Sequence, residues 1–260
     1  QRIIYICLSG LLLLFAYPLM YIIEKVFGFT SSVTLVELTN INHPILRRMS
    51  KEAQGTFNHS MQVANLAAEV ADKIGAKPQL VRTGALYHDI GKIANPQCFT
   101  ENETPGVRYH ADLTPKESAQ EIIRHVTDGL ALADKYGVPS VLKDFIRSHH
   151  GTTCTAYFMT QYLNAGGDPA ETDEFYYNGM KPVTREQVIL MLCDAVEAAS
   201  RSLKDYSEQS ISALVDKIVD GKADDGQLSD SDISLREVNR IKDVMKSYLK
   251  QMYHSRVSYP

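Results

Sequence analysis

From Ser50 onward the apolar residues of this chain recur at three- and four-residue steps, and no run alternates apolar with polar. That period buries one stripe of an α-helix and cannot line one face of a strand. Met61, Ala64, Ala67, Ala68 and Ala71 form one such stripe, closed by Gly75. Pro78 opens the next helix, which carries Leu80, Val81, Leu86 and Tyr87. Two capping boxes mark further starts. Thr114-Pro115-Lys116-Glu117 opens a helix expected to run to Tyr136, with Gly137 after it. Thr184-Arg185-Glu186-Gln187 opens another, carrying Val188, Met191, Leu192, Ala195 and Ala199. Val138 to His150 reads as a shorter helix stopped by Gly151, and an amphipathic helix with a solvated charged face begins near Ser234. Residues 164–182, rich in Gly, Pro, Asp and Tyr, read as a surface loop, and Asp224-Asp225-Gly226 as a turn. The expected fold is all-α.

The first segment follows different rules. Ile3 to Ile23 contains no Asp, Glu, Lys or Arg. A helix of about 21 residues spans about 31 Å, the thickness of a bilayer's hydrocarbon core. Tyr5, Tyr17 and Tyr21 suit the interfaces, and Pro18 can kink such a helix without forbidding it. A signal peptide would have a shorter apolar run and a small-residue cleavage site after it. Residues 1–23 are therefore expected to form a transmembrane helix in contact with the lipid bilayer. Because the chain opens with Gln1, it is expected to be the last span of a longer protein. Residues 24–50, punctuated by Gly28, Asn40, Asn42 and Pro44, read as a connector, and 51–260 as one helical domain. Lys25, Arg47, Arg48 and Lys51 follow the span against Arg2 before it, which puts the helical domain on the cytoplasmic side.

Charge and cysteine content exclude several classes. Lys and Arg number 27 against 31 Asp and Glu, a net charge of -4, with no basic stripe, so duplex nucleic acid is not an expected partner. The four cysteines stand far apart with no C-x-x-C pair, which argues against a disulfide framework or a zinc knuckle and for a reducing compartment.

Five histidines and two aspartates carry the chemistry: His59, His88-Asp89, His125, His149-His150 and Asp194, in the order H…HD…H…HH…D. Taken alone, each histidine is more often a satisfied core or surface residue. Asp194 is harder to dismiss, since Leu192, Cys193, Ala195 and Val196 flank it and a carboxylate facing a core is costly unless paired or metal-bound. Neutral imidazoles and carboxylates without thiolates suit six-coordinate iron or manganese better than structural zinc. Two six-coordinate ions ask for about twelve donor positions. Seven side chains with Asp89 shared, and one shared hydroxide, leave about two positions for phosphate oxygens.

The ordered set resembles the seven-transmembrane receptor proteins with an intracellular HD hydrolase domain, the PgpH-type cyclic-di-AMP phosphodiesterases. The matching stretches include Leu38-Thr39-Asn40-Ile41-Asn42-His43-Pro44, Tyr87-His88-Asp89-Ile90-Gly91-Lys92 and His149-His150-Gly151-Thr152-Thr153, and the likeness runs on to Tyr259-Pro260. They also include the run from Asp194 to Leu203 and Asp225-Gly226-Gln227-Leu228. The resemblance implies an HD-domain helical bundle over 51–260 with a di-metal centre of iron or manganese, preceded by the span. It implies one ion on His59, His88, Asp89 and Asp194 and the other on Asp89, His125, His149 and His150. It also implies hydrolysis of cyclic di-AMP, a bacterial second messenger, to pApA, by a multi-pass protein of the inner or plasma membrane. A homodimer is left open. Departures occur at Gln54-Gly55-Thr56-Phe57-Asn58-His59 and Arg108-Tyr109-His110-Ala111, which puts base preference in doubt but removes no ligand.

Around that core, His88 and Asp89 are expected at the catalytic step with Lys92, one turn on, holding a non-bridging oxygen. The plainer role of Lys92 is to offset a helix dipole. Thr152 and Thr153 are candidate phosphate donors, against plain capping after Gly151. His110 and Tyr157 are candidate substrate contacts, although a Tyr-Phe pair such as Tyr157-Phe158 is more often core. His43 and His254 are assigned no role. A cyclic-di-GMP enzyme of the HD-GYP type would carry a Gly-Tyr-Pro that is absent here. An HD-type di-iron oxygenase would share the ligands, and a nucleotide sensor without turnover would be expected to have lost some of them.

Overall fold

Helix starts at Ser31, Thr114, Thr184 and Ser207 are capped by side chains that the sequence supplies at the right offset. The computed structural model describes residues 2–254. Gln1 and residues 255–260, Tyr259-Pro260 among them, lie outside the described residues, as do the side chains of Tyr17 and His254. In chain order the α-helices are α1 Arg2–Leu14, α2 Ala16–Phe27, α3 Ser32–Leu38, α4 Pro44–Glu52, α5 Gln54–Ile74, α6 Pro78–Tyr87 and α7 Pro115–Ile123. They continue with α8 His125–Lys135, α9 Ser140–Ser148, α10 Ala156–Asn164, α11 Arg185–Ser200, α12 Glu208–Asp224 and α13 Leu235–His254. Both capping boxes form: Thr114 Oγ1 accepts from the Glu117 amide while the Glu117 carboxylate accepts from Thr114 N, and Thr184 and Gln187 do the same. Gly75, at φ 71°, ends α5 in the left-handed conformation and lets Ala76 N–H reach the Ala71 carbonyl.

The bundle is built around α5, which packs against α4, α6, α11 and α13. Val63, Ala64, Leu66, Ala67, Val70 and Ala71 form its buried stripe. From Gln187 to Asp194 every residue of α11 is buried, so this helix runs through the core rather than along its edge. Each large aliphatic side chain buried there contributes about 1.5–3 kcal/mol through removal of apolar surface from water. Among the described residues there is no strand, only an isolated bridge between Cys154 and Tyr176.

Four expectations change. The single span over 1–23 is two helices, α1 and α2, bent by 41° about the break at Phe15, just before Pro18. No single described helix is long and apolar enough to cross a membrane, although the bent pair passes that test together. The stretch read as a connector, 24–50, contains α3 and most of α4, which bury Leu35, Leu38, Ile45, Leu46 and Met49. A Ser cap and a first-turn Pro start those helices, so short apolar stretches become core rather than linker. The helix expected from Thr114 to Tyr136 is broken at Arg124 into α7 and α8, because the Ile122 carbonyl accepts from the His125 ring at 2.6 Å. The loop over 164–182 is not confined to the surface, since it buries Phe175 and Tyr177.

Candidate metal centre

Six of the seven sequence-picked ligands are buried where α5, α6, α8, α9 and α11 meet: His88 at 0%, Asp89 and His149 at 1%, His125 at 2%, His59 at 5% and Asp194 at 7% exposure. His150 is half-buried beside them. The ring nitrogens are sorted by their outer bonds. His88 Nδ1 bonds to the Ala85 carbonyl at 2.7 Å, His125 Nδ1 to that of Ile122 at 2.6 Å, and His149 Nδ1 to that of Ile146 at 2.9 Å. A neutral ring that donates from Nδ1 keeps its lone pair on Nε2, and in all three Nε2 is the atom that points inward. His59 stands inside α5, where the carbonyls serve the helix, and its Nδ1 instead meets the Glu197 carboxylate at 2.5 Å. Arg201 grips the same carboxylate through Nε and Nη2 at 2.7–3.1 Å.

Asp89 stands between two groups of imidazoles. Its Oδ1 lies 3.5 Å from His125 Nε2 and 3.6 Å from His149 Nε2, while its Oδ2 lies 3.2 Å from His88 Nε2 and 3.8 Å from His59 Nε2. Asp194 Oδ1 lies 2.8 Å from His59 Nε2 and 3.5 Å from His88 Nε2. Two sets of donors result, each small enough for one ion: His59, His88 and Asp89, and Asp89, His125, His149 and His150.

The electrostatics ask for positive charge at both sets. His125 Nε2 and His149 Nε2 face one another at 3.2 Å, two lone pairs with no hydrogen between them when both rings donate from Nδ1. His88 Nε2 and Asp89 Oδ1 are buried with no hydrogen-bond partner. Burial works against a proton on His88, yet the neighbouring Asp89 charge and Asp194 outweigh it and raise its pKa to about 10. Burial lowers His125 to about 3 and takes His150 well below its ordinary value, which leaves both rings neutral. Asp89 is held far below the usual carboxylate range, because the charges of His88 and Lys92 overcome its burial. Unpaired inward lone pairs beside two ionised aspartates fit divalent metal ions, and the cluster can bind them.

The remaining candidates divide. Lys92 Nζ is committed to Asp89 Oδ2 and Glu101 Oε1, both at 2.8 Å, which orients the aspartate and leaves the lysine lining a cavity of about 310 Å³. Thr153 Oγ1 donates to the His150 carbonyl, the local bond expected of a cap, and Thr152 is tied to Gln227 through its amide and hydroxyl. Tyr157 is exposed at the rim of a second cavity of about 360 Å³, and Phe158 lines it too. His110 stands apart from the ligands, its Nε2 2.9 Å from the Cys98 carbonyl and its ring against Phe158. His43 packs edge-on against Tyr87. The two cavities share His150, Asp194 and Ala198, so they open as two arms from the ligand cluster.

Sequence reasoning passed over Glu197, Arg201, Glu101, Tyr177 and Lys222. Glu197 and Arg201 follow Asp194 by one and two turns, the one available signal. Tyr177 comes from the expected surface loop and stacks on His150 at 4.2 Å, and nothing in its local pattern foretells it.

Residues 56–199 match the HD domain family. The cyclic-di-AMP phosphodiesterase PgpH of Listeria monocytogenes serotype 1/2a (strain 10403S) is 40% identical over 237 residues, 91% of this chain and 33% of that protein. Its namesake from Bacillus subtilis (strain 168) is 39% identical over 242 residues, 93% of this chain and 34% of that protein. The chain thus spans about a third of the length of these relatives. The crystal structure of the L. monocytogenes PgpH HD domain in complex with cyclic di-AMP superposes with a TM-score of 0.79 at 39% identity, covering 83% of this chain and all of that one. With the family matched over more than half its length, and the PgpH HD domain matched along the whole of that domain, the chain belongs to the HD domain family and is homologous to the PgpH HD domain.

Proposed function

We propose that the chain is the HD phosphohydrolase part of a membrane-anchored cyclic-di-AMP phosphodiesterase, opening the cyclic dinucleotide to pApA. The observation that carries this reading is the split of Asp89, with one oxygen toward His88 and His59 and the other toward His125 and His149. On this reading His59, His88, Asp89 and Asp194 hold one divalent ion and Asp89, His125, His149 and His150 the other, with iron or manganese favoured by an oxygen and imidazole donor set. Ions held there supply Lewis acidity, lowering the pKa of water and neutralising charge on phosphoryl oxygens. The chain's own residues do the rest. Lys92 and Glu101 fix the plane of Asp89, Glu197 fixes His59, and the backbone carbonyls behind His88, His125 and His149 hold those rings in the tautomer that faces inward.

The two arms suit a substrate with two bases and two phosphates. One is polar, walled by Lys92, Glu101 and Arg201, and the other is aromatic, walled by Tyr157, Phe158 and Tyr177. A cyclic dinucleotide bound in the PgpH HD domain structure, 39% identical to this chain, supports the same occupant here. The bent apolar pair α1 and α2 is proposed to anchor residues 1–28 in the inner or plasma membrane, with the catalytic domain cytoplasmic. The domain is proposed to begin at α3 rather than at residue 51, because α3 and α4 bury core residues.

Metal-loaded chain incubated with cyclic di-AMP, with cyclic di-GMP beside it, tests the reading by chromatography of the products. Conversion of cyclic di-AMP to pApA, abolished by chelator and restored by Mn(II) or Fe(II), is the expected result. Survival of both substrates with nucleotide still tightly bound would leave a sensor instead of an enzyme.

A further inference from the structure

Ile211, Val215 and Val219 form the buried stripe of α12, and the next position on that helical face, 222, is a lysine. Lys222 is half-buried and lines the aromatic cavity of about 360 Å³ together with Tyr157, Phe158, Tyr177 and His150. Among the described residues its ammonium makes no hydrogen bond and has no carboxylate within ion-pair reach. The nearest acids are engaged elsewhere. Asp194 faces His59 at 2.8 Å, and Asp225 accepts from Gln227 Nε2 at 2.9 Å. Burial depresses the amine below its ordinary range, with Asp194 and Asp225 making up only part of the loss.

A cation placed on an apolar stripe without a counter-ion costs the fold stability. The helix C-terminal dipole returns only a small part of that. Solvent-facing neighbours on the same helix, such as Lys217 or Asp220, would carry charge without this penalty. The arrangement is that of an anion site awaiting its anion, and it opens into the same cavity as Asp194, His149 and His150.

We propose that Lys222 holds the second, non-reacting phosphate of a two-phosphate substrate and so sets the preference for cyclic dinucleotides over diesters with a single phosphate. This rests on the phosphodiesterase reading above. A phosphate at the ligand cluster and one at Lys222 occupy a single cavity, with aromatic side chains between its walls to take a base. The lysine acts at a distance from the reacting phosphorus, so it discriminates by binding.

The test uses the full chain, metal-loaded, as wild type, Lys222→Met and Lys222→Arg. In Lys222→Met, the Kd for the slowly cleaved bis-phosphorothioate of cyclic di-AMP rises at least about tenfold, the scale of one lost charged hydrogen bond. The ratio of kcat/KM for cyclic di-AMP to that for bis(p-nitrophenyl) phosphate falls by a similar factor. Lys222→Arg recovers most of both, and the thermal midpoint of Lys222→Met is equal to or above that of wild type. An unchanged Kd and ratio in Lys222→Met overturns the proposal, as does a lowered midpoint with the ratio intact, the signature of a structural lysine. Nucleotide binding that depends on Lys222 without turnover would sink the hydrolysis reading and leave only the phosphate contact standing. Turnover to pApA with binding indifferent to Lys222 would do the reverse.

Discussion

His88, His125 and His149 each stand at a helix boundary, where the carbonyl three residues earlier is free to accept from the ring rather than from the next turn of backbone. His59 has no such carbonyl and depends on Glu197. Replacing Glu197 with Gln is expected to lower affinity for the ion on His59 by about 10–100-fold, with helix content kept. Metal titration followed by circular dichroism checks it, and wild-type affinity would show that the carboxylate is idle. In the metal-free chain His88 carries a proton at pH 7, since its pKa is raised to about 10, and an incoming ion must displace it. Loading at pH 7 should release about one proton from this group, and affinity should climb about tenfold per pH unit towards pH 10. The same shift stabilises the metal-free fold fully below the ordinary value of 6.5, and that contribution disappears as pH rises through about 10. Calorimetry in buffers of different ionisation enthalpy reads the proton, and zero release would contradict the charge state assigned to His88. Among the seven candidate ligands, Asp194 was legible because a carboxylate on an apolar stripe violates the pattern around it, whereas the histidines stood out only as an ordered set. Glu197 was not legible, since a glutamate three residues on reads as ordinary helix surface.

Between α8 and the short turn that follows α6 the backbones nearly touch. Gly91 follows the His88-Asp89 pair in a 3-10 turn, Ile90–Ala94, and a Cβ there would overlap the His125 carbonyl oxygen and stand 2.5 Å from Gly129 N. Close approach, not an unusual backbone angle, is what demands glycine, and it brings Asp89 within 3.5 Å of His125. Gly91→Ala should push α8 outward, destabilise the chain by about 1–3 kcal/mol or more, and loosen the ion on His125 and His149. A urea midpoint and metal content like wild type would refute this. Farther along α6, Tyr87 donates from its buried hydroxyl to the Leu38 carbonyl at 2.9 Å, tying α3 to the residue before His88. Tyr87→Phe leaves that carbonyl unpaired and should cost about 1–3 kcal/mol. Periodicity revealed α5, α6, α11 and α13, but it continued through Arg124 and hid the break before α8. A ring diverting one carbonyl leaves no mark in the hydrophobic pattern.

At the scale of the whole chain, an exposed apolar segment meets a closed bundle near residue 28. Exposed Ile, Leu and Phe cover α1 and α2, while the bundle from α3 onward is closed around its own core. The full chain is expected to co-sediment with lipid vesicles, and a chain starting at Phe29 to remain in the supernatant with its helices intact. Equal partitioning of both would remove the anchor. The apolar run was plain in the sequence, and Pro18 marked where it could kink, although the 41° size of the bend was not legible there. Both proposed ions depend on Asp89 as the ligand they share. Metal content per chain, measured after gel filtration for wild type and Asp89→Ala with pApA formation read alongside, tests that most directly. Two ions and turnover in the wild type, against fewer than one ion and no turnover in a folded Asp89→Ala, is the predicted outcome. Two ions and near-normal hydrolysis in Asp89→Ala would contradict it.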